Sequence, residues 1–175
     1  IYAALICFLP PNVFSQSSIH SSIGLVGVAQ ASTQGCGFMN RIYTLQLENN
    51  GSETINNIQV ELPLANPQQL GDAFLGIIDL ELISGLSNLS PVLNPNFDGE
   101  NDVVLIQGLN MQAGAKISIR IEIELDPSDL SLLSNQGIQA FVFGIDPNTG
   151  ASTLLDLSDG GFLYGFDTWS QPGDT

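Results

Sequence analysis

Apolar and polar residues alternate with a period of two along much of the chain, most strictly in Lys116–Leu125, KISIRIEIEL. There Ile117, Ile119, Ile121, Ile123 and Leu125 share one face, and Ser118, Arg120, Glu122 and Glu124 share the other. A period of two is that of an extended strand with one dry and one wet face. Residues 43–63, YTLQLENNGSETINNIQVELP, carry the pattern twice, with Tyr43, Leu45 and Leu47 before an Asn50-Gly51 turn and Ile55, Ile58, Val60 and Leu62 after it. Two such runs about an Asn-Gly turn predict a β-hairpin. The 117–125 run is expected to be the central core strand, with Leu45, Leu47, Ile58 and Val60 packed opposite it. Shorter runs predict strands over 23–31, 75–83, 103–106, 138–145 and 153–155. Gly35 to Gly37, Asp126-Pro127 and Asp146 to Gly150 break them, and 128–134 reads as one helical turn.

Seven to eight short strands with turn signals roughly every ten residues predict an all-β fold, an immunoglobulin-like antiparallel β-sandwich. The two cysteines, Cys7 and Cys36, do not have the antibody-type spacing around Trp169. At 175 residues the chain accommodates one core, placed at 19–175 with a Gly- and Asp-rich tail and preceded by an apolar N-terminal arm at 1–18.

The arm, IYAALICFLPPNVFSQ over its first sixteen residues, is uncharged. It is shorter than the roughly 20 residues a membrane-spanning helix needs. With no basic n-region before it, it reads either as the remnant of a secretory signal peptide or as a retained apolar arm, and the arm is the expectation. The preceding Ile6 argues against a lipid anchor at Cys7. Charge narrows the partners: 18 Asp and Glu stand against Arg41, Lys116 and Arg120, for a net charge of −15. So acidic a surface repels nucleic-acid phosphates and anionic lipid, so neither nucleic acid nor membrane insertion is expected.

Two polar clusters are candidate metal loops. Asn94, Asn96 and Asp98 before Gly99, with Asp102 following, place oxygen side chains at alternate positions, as the first half of a calcium loop does. The bidentate Glu of an EF-hand is replaced by Leu105. The alternative is a polar turn whose side chains bond the local backbone. Asp156, Ser158, Asp159 and Asp167 form the second cluster, with the three Asp as its candidate ligands, and the two loops could meet at one end of the sandwich. Calcium is thus the one cofactor expected. Cys7 and Cys36 read either as small buried hydrophobes or as a disulfide between arm and body, within or between subunits. Catalysis has little basis: His20 is the sole histidine and lies in a serine-rich joint outside any nucleophile motif. The Asn50-Gly51-Ser52 and Asn88-Leu89-Ser90 sequons read first as turns.

The order IGLVGVAQAS, YTLQLENNGSETINNIQVELP, NPNFDGENDVVLIQG, KISIRIEIEL and DLSDGG resembles the bacterial surface-repeat modules known as the domain of unknown function 11 family. The resemblance covers residues 23–174. It implies an extracellular immunoglobulin-like module with a structural or adhesive role, commonly strung in tandem.

The expectation that follows is a non-catalytic, secreted subunit of a cell-surface filament whose partner is another copy of itself. A sandwich lacking a strand exposes unpaired backbone, and an apolar arm can fill the gap in a neighbour. Residues Ile1, Ala3, Leu5, Ile6, Cys7, Phe8 and Leu9 are the expected interface, since Pro10-Pro11 would interrupt a ladder. The alternative is an adhesive module, its signal peptide removed, that binds a glycan or surface through its end loops.

Overall fold

The computed structural model describes residues 19–29, 38–85, 92–126, 138–145 and 148–160. The strands are β1 (Ile19–Ala29), β2 (Met39–Asn49), β3 (Ile55–Glu61), β4 (Phe74–Gly85), β5 (Val92–Leu93), β6 (Val104–Met111), β7 (Lys116–Leu125), β8 (Phe141–Ile145), β9 (Ser152–Leu157) and β10 (Asp159–Gly160). They form two sheets in the orders β10-β1-β2-β7-β4 and β5-β6-β3-β8-β9. The fold is the expected all-β, immunoglobulin-like sandwich. Eight strands have five residues or more, and the two-residue β5 and β10 are additions that no sequence period could reveal. Every pairing is antiparallel except β1 with β10. Among the described residues no helix is long and apolar enough to cross a membrane.

β7 is central, flanked by β2 and β4, and its five aliphatic side chains are at most 1% exposed. Leu45 and Leu47 lie beside it, across from Ile119 and Ile117 in the same sheet. Ile58 and Val60, also fully buried, belong to the facing sheet. Fully burying such side chains contributes about 1.5–3 kcal/mol each.

The hairpin expected over residues 43–63 does not form. β2 pairs with β1 and β7, whereas β3 pairs with β6 and β8, so the link between β2 and β3 crosses from one sheet to the other. Both strands have a dry face, and stacking those faces across the core buries more apolar surface than pairing edge to edge would. Asn49 holds the crossing and is itself fully buried. Its Nδ2 donates to the carbonyls of Glu53 (2.8 Å) and Met111 (2.9 Å), and its Oδ1 accepts from the Gly51 amide (3.0 Å). Its backbone bonds Ala115 and Gly114, the link that carries β6 back to β7. One asparagine thus ties together two crossings at one end of the sandwich.

Candidate functional site

The Asn94–Asp102 loop joins β5 to β6. The Asp98 Oδ1 accepts the backbone amides of Glu100 (2.9 Å), Asn101 (2.8 Å) and Asp102 (2.9 Å). Those donors, Asp102 first and Glu100 next, hold the Asp98 carboxyl below its ordinary value of 3.8. The Asn94 Oδ1 accepts from the Asn96 amide, while its Nδ2 donates to the Val104 carbonyl and the Asp102 carboxylate. Asp102 also caps the Val104 amide. Asn94, Asp98 and Asp102 therefore spend oxygen atoms on local backbone, and Asn94 turns a donor toward Asp102. These are the local bonds of a polar turn, and the Asn96 side chain stands exposed beside them. Gly99 makes it possible with φ +75°, and a Cβ there would lie 3.0 Å from Leu64 Cδ1 and 3.1 Å from Phe74 Cζ.

Asp156 lies on the opposite edge of the second sheet, on β9, at least three strand spacings from β6. That places roughly 14 Å or more between the two strands themselves. The Asp156 Oδ2 accepts both the amide and the hydroxyl of Ser21 at 2.6 Å, which clasps β9 of one sheet to β1 of the other. Ser158, fully buried, exchanges hydrogen bonds with Ala140 through its amide and Oγ. Beyond it the chain changes sheets, and β10 runs parallel to β1, Asp159 against Ser22 and Gly160 against Ile23. Asp167, the arm residues Ile1 to Leu9, Cys7 and Cys36 lie outside the described residues. Among the described residues no three His, Cys, Asp or Glu side chains group closely enough to hold a metal ion.

Asn49 and Ser21 are not singled out by the sequence, and Arg41 stands out there only as a charge. Asn49 had a legible signal, since it continues the inward parity of Tyr43, Leu45 and Leu47 and so had to be buried. Arg41 continues that parity the other way. It is bonded to Tyr43, whose hydroxyl is raised above its ordinary pKa by burial and partly offset by the guanidinium. The Nε of Arg41 is buried without a hydrogen-bond partner. The other two cations lie on the outer face of the first sheet. Lys116 pairs with Glu48 at 2.7 Å, and Arg120 pairs with Asp79 at 2.7 Å and Glu122 at 2.5 Å.

No family model matches this chain. No curated protein matches it either. Among solved structures, two of a GH20 exo-β-N-acetylglucosaminidase from Vibrio harveyi align with it at 12% identity, an inactive mutant and a complex with N-acetylglucosamine. Their TM-scores are 0.44 and 0.45, and the alignments cover 85% of this chain and 19% of the enzyme. The chain thus spans about a fifth of that protein's length, and so loose a likeness carries no inference about activity.

Proposed function

We propose that this chain is a non-catalytic structural subunit of an extracellular filament, joined head to tail by strand addition. The arm at residues 1–18 is the donor and the outer edge of β1 is the acceptor. The observation that supports this is the edge itself. β1 has eleven residues, yet among the described residues its outer side is paired only at Ser22 and Ile23, by β10. Among the described residues no strand pairs the outer side of β1 from Gly24 to Ala29, roughly 20 Å of strand, and an incoming strand would supply hydrogen-bond partners there. β10 occupies the part of the edge nearest the arm, so an arm folding back on its own subunit meets β10 first. A neighbour's arm does not. In the donated strand Leu5, Cys7 and Leu9 face one apolar layer, and Ala4, Ile6 and Phe8 face the other. A heterologous contact of this kind generates an open filament. The reading agrees with the surface-module resemblance in the sequence.

Deleting residues 1–14 and following assembly by sedimentation and electron microscopy tests it. The truncated protein should be monomeric, and a synthetic peptide of residues 1–14 should bind it. Filaments formed without the arm, or intact monomers whose arm protects their own β1 from hydrogen exchange, would overturn the proposal.

A further inference from the structure

The opposite edge of the first sheet has a different character. β4 pairs with β7 through three register shifts, between Phe74 and Gly76, Ile77 and Asp79, and Leu82 and Ser84. Each shift inserts one residue with no counterpart on β7, and the three residues are Leu75, Ile78 and Ile83. They are also three of the five large hydrophobic side chains left exposed among the described residues, at 45%, 47% and 52%. Natural edge strands commonly use bulges to block strand addition, but the usual accompaniment is charge or proline at the bulge. Here each bulge presents an aliphatic side chain. The exposed acids Asp72 and Glu81, with Asp79 paired to Arg120 between them, are interspersed along the same segment, and exposed Glu100 follows Gly99, where a Cβ would meet Phe74 at the start of β4.

We infer that the β4 edge is a docking ridge for a foreign polypeptide that is both apolar and basic, recognised through side chains. Charge decides against a second copy of this chain. Its three Lys and Arg are all committed or turned inward: Lys116 to Glu48, Arg120 to Asp79 and Glu122, and Arg41 on the inner face beside Tyr43. Two copies meeting at this ridge would set acid against acid with no free cation between them. A partner with lysine or arginine beside aliphatic residues satisfies both components. The inference concerns another edge than β1 and stands whether or not strands are exchanged.

The test uses the full chain and a labelled twelve-residue peptide of alternating lysine and leucine, with an alternating glutamate and leucine peptide as control. Binding is read by fluorescence anisotropy at several salt concentrations. The triple variant Leu75→Ser, Ile78→Ser, Ile83→Ser changes exposed positions and leaves the net charge at its original value, so any diffuse attraction of a cationic peptide to an acidic protein persists in it. Expected are binding of the basic peptide that weakens with salt, at least a tenfold loss in the triple variant, and a similar loss in Asp72→Lys, Glu81→Lys. Circular dichroism confirms that the variants are folded. Equal affinity for wild type and triple variant, equal binding of the acidic peptide, or self-association abolished by the triple variant would each overturn the inference.

Discussion

Replacing Asn49 by alanine tests whether one buried amide holds the two sheet crossings. The substitution removes two donations, to Glu53 and Met111, and one acceptance, from Gly51. At about 1 kcal/mol net for each bond the loss is about 3 kcal/mol. The Met111 carbonyl lies where water does not reach, so part of its desolvation cost of roughly 1–3 kcal/mol is added. The expected destabilisation of Asn49→Ala is therefore about 3–5 kcal/mol. Asn49→Asp should be worse, because a carboxylate of the same shape cannot donate and would face two carbonyl oxygens. Urea unfolding followed by far-ultraviolet circular dichroism gives the magnitude, provided the slope with denaturant is unchanged. A loss under about 1 kcal/mol for Asn49→Ala, or Asp tolerated as well as Asn, would refute the reasoning; the crossing would then be held by backbone and apolar packing alone.

Ile121 is 1% exposed in the middle of the central strand, so Ile121→Ala should cost about 2–5 kcal/mol in the same assay and Ile121→Asp should prevent folding. Gly99→Ala combines a left-handed backbone with contacts at 3.0–3.2 Å and should lower stability by about 1–3 kcal/mol, measured by thermal unfolding. Asp98 has a folded pKa depressed by its amide donors, so its stabilisation is complete above the ordinary value of 3.8 and is lost as pH falls through the lower, folded value. Carbon-detected NMR titration should place its midpoint below 3.8, and Asp98→Asn should reduce the acid dependence of unfolding. Since the oxygens of Asn94, Asp98 and Asp102 already serve the backbone, excess chelator should leave the melting temperature unchanged, while a rise on adding calcium would mean that the ion displaces those bonds.

The strand character of β7 and its buried face follow from the sequence by itself, because a strict period of two leaves no other way to separate five aliphatic residues from five polar ones. A tight polar turn is legible in the Asn94–Asp102 segment as one of two readings, because its bonds run between near neighbours in the chain. Which strands become partners is a different kind of question. An Asn-Gly turn between two amphipathic runs serves a hairpin and a sheet crossing equally well, since both bring dry faces inward. The choice depends on what else those faces can cover, and β7 and β6, distant in sequence, supply it by pairing with β2 and β3. The Asp156 clasp on Ser21 spans 135 residues, and the exposure of Leu75, Ile78 and Ile83 comes from a register mismatch with β7. Neither leaves a local pattern, because a hydrophobic residue at a bulge reads in sequence like any other strand residue, and only the partner strand's count of residues puts it in solvent.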